Sequence, residues 1–181
     1  MDTRTLCLGV LNRGDASGYE IKKSFEEGPL AHIHEASFGA IYPALTRLSD
    51  EGMVDCHEYA QDKRPDKKVY SLTEKGRSAL EDALHAAPAP DKVRSDFLFM
   101  LFFAQLLPVE RLAALIDARI AWYDEILERM TSCEELPKRP AGERFVHGFG
   151  LTIYRAARDY LIKNRAALLA ECRGADQSAA E

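Results

Sequence analysis

The stretch from Ser37 to Gly52 constrains the fold most, because its apolar residues recur at helical spacing while its opposite face stays small. Ile41, Leu45 and Leu48 fall four and three residues apart, which predicts one buried helix face. The opposite face carries residues that are small or basic, namely Gly39, Ala40, Pro43 and Arg47. Two interpretations stay open for this window. It is either a recognition helix that lies in a DNA groove, or a surface helix that packs on a neighbour.

Pro43 lies inside this helical pattern. Proline removes one backbone hydrogen bond and disfavours helical backbone at the residue before it, here Tyr42. The helix therefore either begins near Tyr42 or bends there. In both cases we expect residues 37–41 to form a turn or a loose first turn.

Two helices precede this stretch. Apolar residues at helical spacing predict the first over residues 3–13. Ser17 and Glu20 have the spacing of a capping box, in which the serine caps the helix and the glutamate reaches back to the serine amide. This pattern predicts a second helix over residues 18–27.

A basic β-hairpin follows the third helix. Alternating apolar and polar residues predict strands over residues 53–59 and 68–73, and the polar segment 61–67 predicts the turn between them. Thr73 then caps a fourth helix. Three helices and a basic hairpin are the order of a winged helix-turn-helix module, whose third helix enters the major groove while the hairpin holds phosphates.

The net charge of the N-terminal half, residues 1–85, argues mildly against binding to nucleic acid. The chain has a formal net charge of −5, and residues 1–85 hold 11 Lys and Arg against 15 Asp and Glu. What matters for phosphate binding is the local distribution of charge. Six basic residues crowd into positions 63–77, which predicts a positive field there; they are Lys63, Arg64, Lys67, Lys68, Lys75 and Arg77.

Four segments of this half carry the motifs that identify its family, namely Ser-Gly-Tyr-Glu-Ile-Lys-Lys at 17–23, Phe-Gly-Ala-Ile-Tyr-Pro-Ala-Leu-Thr-Arg-Leu at 38–48, Glu-Gly-Met-Val at 51–54, and Lys-Lys-Val-Tyr-Ser-Leu-Thr-Glu-Lys-Gly at 67–76. Together they resemble the PadR family of bacterial transcriptional regulators. The remaining half is similar in character to the helical C-terminal region of the longer PadR branch. The resemblance implies a homodimeric repressor that binds palindromic operator DNA and is released by small molecules or other signals.

The second half of the chain is predicted to be helical. Residues 86–90 predict a proline-stiffened linker. Residues 92–107 predict a helix that Asp91 caps and that is apolar nearly all round, so we expect its burial between two subunits. Pro108 opens the next helix.

A loop over residues 132–142 precedes a final helix over 143–172, which we expect Gly174 to end. The predicted fold is mainly α with a small β-hairpin. It consists of a winged helix-turn-helix domain (1–85), a linker (86–90), a helical dimerisation domain (91–173) and a flexible tail (174–181).

The candidate DNA-binding residues fall into two groups. Those expected at the groove and its phosphate edges are Tyr19, Lys22, Ser37, Ala40, Tyr42, Pro43 and Arg47. Those expected to reach phosphate from the wing are Lys63, Arg64, Lys67 and Lys68.

Trp122 lies at the edge of the apolar stripe on its helix. A half-covered indole near Phe99, Phe102 and Phe103 would stack a flat aromatic effector in an apolar pocket. Ordinary dimer packing of the same rings is the alternative.

Other chemistry has little support in the residues. His32, His34 and Glu35 are zinc-ligand types, but no fourth ligand is marked, so we predict no metal. No catalytic constellation or cofactor motif stands out, and we predict a non-enzyme without a cofactor.

Cellular location is predicted from the cysteines and the apolar runs. The four cysteines are scattered and predict reduced thiols in the cytoplasm. The longest apolar run, residues 97–107, is shorter than the roughly 18 residues of a membrane span, and no signal peptide is visible.

Two rival functions remain. The first is a winged helix that binds protein rather than DNA, which the acidity of residues 1–85 favours. The second is a small-molecule carrier that uses the phenylalanine-rich helix. Binding to specific and scrambled duplexes separates the first rival from a DNA regulator, and native mass spectrometry exposes a carried ligand.

Overall fold

The computed structural model describes residues 1–26, 30, 38–61 and 64–178. The chain divides into two compact units, Met1–Asp91 and Lys92–Glu181. The prediction of a mainly helical fold with a winged helix-turn-helix unit and a helical C-terminal unit is confirmed.

The first unit contains four helices and three strands among its described residues. They are α1 (Thr3–Leu11), β1 (Ala16–Ser17), α2 (Gly18–Glu26), α3 (Phe38–Asp50), β2 (Val54–Gln61), β3 (Arg64–Leu72) and α4 (Glu74–His85). The strands form an antiparallel sheet in the order β1-β3-β2. The sequence predicted the hairpin but not β1, which has two residues and no periodicity of its own. The largest fully buried side chains of this unit are Cys7, Ile21, Ile41, Leu45, Leu48 and Val54.

Helix α3 differs from the prediction at its start. It is continuous from Phe38 to Asp50 with Pro43 inside, so the loose first turn predicted for residues 37–41 is wrong from Phe38 onward. Pro43 forfeits one backbone hydrogen bond. Ile41 and Leu45, on either side of the proline, are both 0% exposed, and their burial holds the helix together across it.

Strand β3 begins earlier than predicted, at Arg64, so residues 64–67 belong to the strand rather than to the turn. Pro65 is tolerated there because β1 pairs only with Val69 and Tyr70, which leaves the start of β3 with β2 as its one neighbour in the sheet. The register also shifts between Tyr59 and Gln61 on the facing strand. Strand prolines are confined to such edges and bulges.

The end of α3 is a Schellman turn. Gly52 has a left-handed φ of +67°. The Met53 amide donates to the Leu48 carbonyl at 2.8 Å, and the Gly52 amide donates to the Ser49 carbonyl at 2.9 Å. These two bonds satisfy carbonyls that the helix end would otherwise leave open.

The start of α4 is built on the same turn. The Thr73 hydroxyl accepts from the Gly76 amide at 3.1 Å and donates to the Gly52 carbonyl at 2.9 Å. A Cβ added to Gly76 would lie 2.0 Å from the Met53 carbonyl oxygen. The Thr-x-x-Gly segment therefore joins the end of α3 to α4, and the joint admits no side chain at Gly76.

The second unit is helical. It contains α5 (Asp96–Phe102), a 3₁₀ turn (Ala104–Leu106), α6 (Val109–Thr131), a second 3₁₀ turn (Leu136–Lys138) and α7 (Ala141–Ser178). Helices α6 and α7 are antiparallel: Asp117 pairs with Arg165 in a bidentate contact of 2.6 Å, and Asp124 pairs with Arg158. Their shared core includes the fully buried Leu112 and Ile116 on α6, and Leu161 and Leu169 on α7.

Two helices of this unit differ from the prediction. Helix α5 begins after Ser95, whose hydroxyl accepts from the Leu98 amide at 3.2 Å, and not after Asp91. It ends at Phe102, so it covers less than half of the predicted 92–107. Helix α7 runs through Gly174 to Ser178. A glycine permits a helix end without imposing one, because termination also needs a capping turn such as the one at Gly52.

The joint at Gly76 gives opposite predictions for two glycine-to-alanine substitutions. Gly76→Ala should lower the free energy of unfolding by about 3 kcal/mol, because the added methyl overlaps a backbone carbonyl. Gly9→Ala, in α1 with nothing within 4 Å of the added Cβ, should raise it by about 0.5–1 kcal/mol. Urea unfolding of both variants tests the pair. Equal effects would show that the Gly76 contact is not tight.

Candidate nucleic-acid interface

The outer face of α3 is small and exposed. Pro43, Thr46 and Arg47 lie on it, while Ala44 and Leu48 face the core. No hydrogen bond or ion pair of the Arg47 guanidinium occurs within the described part of the chain. Thr46 was missed by sequence reasoning, although it continues the three- and four-residue spacing of Gly39 and Pro43. Its hydroxyl donates to the Tyr42 carbonyl at 3.1 Å, which leaves its methyl group for contacts outside the helix.

Helix α2 contacts one side of α3 at Gly18. A Cβ added to Gly18 would lie 2.7 Å from Cε1 of the Tyr42 ring, so the ring rests directly on the α2 backbone. Tyr42 is still 43% exposed, and Tyr19, the residue after Gly18, is 61% exposed. The Ser-Gly-Tyr segment thus holds two phenol rings at the surface beside α3.

The predicted capping box at the start of α2 is present. The Ser17 amide and hydroxyl donate to Glu20 Oε2 at 2.8 and 2.7 Å, and the Glu20 amide donates to the Ser17 hydroxyl at 3.3 Å. The Ser17 hydroxyl and amide, together with the Lys67 ammonium, lower the pKa of Glu20 from about 4.5 to about 2. Glu20 is therefore a fixed anion in the first turn of α2.

Three lysines expected to bind phosphate have carboxylate partners in the chain itself. Lys67 Nζ lies 3.1 Å from Glu20 Oε1, Lys68 Nζ lies 2.9 Å from Glu58 Oε1, and Lys22 Nζ lies 3.1 Å from Glu26 Oε1. The hydrogen bond to Glu58 raises the pKa of Lys68.

The positive region is narrower than the sequence pattern suggests. Lys75 Nζ donates to the Glu51 carbonyl at 2.7 Å, at the end of α3. Arg77 Nη1 donates to Asn12 Oδ1 at 2.7 Å, at the end of α1. Both side chains belong to α4 and join helices, so they do not add to the wing.

Several predicted positions lie beyond the described residues. Ser37 and Lys63 are among them, and so is the candidate metal segment of His32, His34 and Glu35. Arg64 is described only as the first residue of β3. Across the described residues, no group of three or more His, Cys, Asp or Glu side chains could hold a metal ion. No described helix is both long and apolar enough to cross a bilayer.

Six aromatic residues of the second unit form two groups of ring contacts, and none of the contacts that the structure describes joins Trp122 to Phe99, Phe102 or Phe103, near which we expected it. Phe103 meets Phe99 and Phe102 edge to face, each with a centroid distance of 5.2 Å. Trp122 instead meets Tyr123 at 5.1 Å and Tyr154 at 6.0 Å.

Arg119 links α5 and α6. Its guanidinium lies 4.7 Å from the centre of the Phe97 ring and 5.0 Å from that of Trp122, a double cation–π contact. Sequence reasoning missed Arg119, although its three-residue spacing from Trp122 places the two on one face of α6.

Apolar surface is exposed on α5 and α7. An open groove of about 450 Å³ is lined by Val93, Leu98, Phe99 and Phe102 among others, with Phe99 68% and Phe102 79% exposed. On α7 four of the six exposed large apolar residues fall on one stripe, with spacings of four, four and seven: Phe145, Phe149, Ile153 and Tyr160. Clusters of exposed apolar side chains are typical of interaction surfaces.

Comparison with known proteins identifies relatives that cover most of the chain. The model of the transcriptional regulator PadR-like family matches residues 7–82. The chain is 31% identical, over 130 residues, to the negative transcriptional regulator PadR of Bacillus subtilis strain 168. The match covers 71% of this chain and 68% of that protein.

Solved structures agree in fold. The smu.1604c protein of Streptococcus mutans UA159 is 29% identical with a TM-score of 0.80, over 92% of this chain and 99% of that one. Bacillus subtilis PadR in complex with operator DNA is 26% identical with a TM-score of 0.74, over 91% and 98%. The same protein in complex with p-coumaric acid is 25% identical with a TM-score of 0.63, over 94% of each chain.

The capping box predicts an acid-sensitive contribution to stability. The pKa of Glu20 is lowered in the folded state, so its stabilising effect is complete above about pH 4.5 and is lost as the pH falls towards about 2. Glu20→Gln should therefore be less stable than the parent at pH 6, and the gap should shrink as the pH falls to 3. Urea unfolding across this range measures it, with the exposed Glu81→Gln on α4 as control. A gap that does not change with pH would contradict the role of the charge.

Proposed function

We propose a function for this chain from its family, since it belongs to the PadR family of transcriptional regulators. It is a homodimeric repressor that binds palindromic operator DNA through α3 and the β2–β3 wing. The relative in Bacillus subtilis is a negative regulator, and its structure in complex with operator DNA has the fold described here. We propose residues 1–85 as the DNA-binding domain and 91–173 as the dimerisation and effector domain.

The observation that carries this function is the outer face of α3. Arg47 extends from a face that is otherwise small, on a helix fixed at its end by the Gly52 turn and at its side by Gly18. An arginine in the major groove donates in bidentate fashion to guanine O6 and N7. Small neighbours such as Ala40 and Pro43 let the helix approach the base edges closely.

The remaining positions are assigned to the phosphate edges. Tyr42 and Tyr19 expose their rings beside α3, and phenol hydroxyls are common phosphate ligands. The other residues that we assign to phosphate are Lys22, Ser37, Lys63, Arg64, Lys67 and Lys68.

Dimerisation explains the exposed apolar faces of the second unit. A second copy would cover Phe99 and Phe102 on α5 and the stripe on α7, which a single chain leaves in water. A two-fold symmetric dimer would carry two copies of α3, one for each half of a palindromic operator. Half-sites read in this way lie about 34 Å apart, one turn of DNA.

An aromatic effector would bind in the second unit. The Bacillus subtilis relative has been solved in complex with p-coumaric acid, a flat aromatic molecule. Phe99, Phe103 and Trp122 are the candidate ring contacts, with Trp122 partly exposed beside Arg119. We propose that the protein acts in the cytoplasm and is not an enzyme.

Protein recognition is the second candidate function, since residues 1–85 carry a net charge of −4 and pair three candidate phosphate-binding lysines internally. Enrichment of genomic DNA by the purified protein decides between the two. A regulator retains discrete genomic fragments even when scrambled duplex is added as a competitor, whereas a protein-binding module retains none.

Arg47→Ala should reduce affinity for the enriched operator by about 10- to 100-fold, equivalent to about 1–3 kcal/mol, because a bidentate base contact is lost. Affinity for a scrambled duplex should change far less. Fluorescence anisotropy with both duplexes measures the ratio. Arg111→Ala, which removes an exposed charge from α6, is the matched control. Equal loss on both duplexes would reassign Arg47 to phosphate.

Phe145→Asp combined with Phe149→Asp should convert the dimer to monomers, because both side chains are exposed in a single chain, at 75% and 60%, and would meet their counterparts in the dimer. Analytical ultracentrifugation measures the mass. Leu84→Asp, an exposed apolar residue on α4, should leave the dimer intact. A double variant that remains dimeric would move the interface away from this stripe.

A further inference from the structure

The wing carries its own counter-charges. The Lys67 ammonium lies 3.1 Å from the Glu20 carboxylate, and the Lys68 ammonium lies 2.9 Å from the Glu58 carboxylate. All four side chains are between 40% and 58% exposed, so both pairs are accessible from solvent.

Both carboxylates are held in place by the fold. Glu58 faces Lys68 directly across the β2–β3 register, and such opposite residues of an antiparallel pair share one side of the sheet. Glu20 is bound by the amide and hydroxyl of Ser17 as part of the α2 capping box. The two acids therefore stay beside their lysines without needing a ligand to order them.

A lysine paired in this way acts differently on non-specific and on specific DNA. Non-specific binding comes from uncompensated positive charge that displaces counterions from phosphates, and a close ion pair has little net charge to offer. A surface ion pair contributes only about 0–1 kcal/mol. A phosphate that is brought within hydrogen-bonding distance, once α3 has docked on its site, can therefore replace the carboxylate.

We propose that Glu20 and Glu58 are specificity-determining residues, which neutralise Lys67 and Lys68 against non-specific duplex and release them to phosphates of the operator. This inference rests on the proposed function of α3 and the wing. It also gives the acidity of residues 1–85 a role, since two of those acids suppress unwanted binding to the rest of the chromosome.

The test is a double-mutant cycle of Glu58 and Lys68 on a scrambled duplex and on the operator, titrated by anisotropy from 50 to 300 mM salt. Glu58→Gln should steepen the log–log salt dependence on the scrambled duplex by up to about 0.9, which corresponds to roughly eightfold tighter binding at 0.1 M salt. Operator affinity should rise less, so the ratio of operator to scrambled affinity should fall.

The cycle also predicts how the two changes combine. Lys68→Ala alone should leave the salt slope on the scrambled duplex nearly unchanged, because the paired lysine displaces no counterion, whereas Lys68→Ala in the Glu58→Gln background should remove the whole gain in slope. Glu20→Gln, which keeps an oxygen for Ser17, should act through Lys67 in the same way. Glu81→Gln makes the same change in net charge on α4 and should leave both duplexes nearly unaffected.

Two outcomes would overturn the proposal. Glu58→Gln and Glu81→Gln acting alike would show that only total charge matters. Additive effects of Glu58→Gln and Lys68→Ala would show that the pair does not mask the lysine. Either result in a protein that still selects its operator refutes this inference alone, whereas failure of the parent protein to bind any duplex selectively refutes the proposed function.

Discussion

The arrangement of the interface depends on the contact between the Gly76 backbone and the Met53 carbonyl. Met53 closes the Schellman turn of α3 and immediately precedes β2, so the same few atoms end the helix that we propose to read bases and begin the wing. Thr73 completes the joint, because its hydroxyl binds both the Gly52 carbonyl and the Gly76 amide. A second glycine contact, Gly18 against the Tyr42 ring, fixes α3 to α2. Together the two contacts fix the orientation of α2, α3 and the wing relative to one another.

Charge at this interface is arranged by pairing rather than by excess. The first unit is acidic overall, yet its acids are placed next to particular cations: Glu20 beside Lys67 and Glu58 beside Lys68. Arg47 has no such partner within the described part of the chain, and it lies on the exposed outer face of α3. In the proposed mode of binding, the protein has little general attraction for DNA and recognition is concentrated in α3, which suits a regulator that must find few sites among many.

Local signals were enough to predict much of this module. The Ser17–Glu20 box, the Thr73 cap and the spacing of Ile41, Leu45 and Leu48 each depend on residues within one or two helical turns, and the structure contains all three. Longer-range features could not be predicted. The Lys67–Glu20 pair joins residues 47 apart, and the Arg119 contact joins two helices. Pro43 was judged from backbone preference alone, whereas core burial on both sides of it outweighs the lost hydrogen bond.

Site-specific photocrosslinking tests the central claim, that α3 and the wing face DNA. A photoreactive phenylalanine analogue at Thr46, on the outer face of α3, or at Tyr59, an exposed residue of β2, should crosslink to a duplex carrying the enriched operator. The same analogue at Glu81 on α4 should not. Crosslinks to the operator at positions 46 and 59 with none at 81 are the result that this account predicts. Crosslinking at position 81 without crosslinking at position 46 would contradict it.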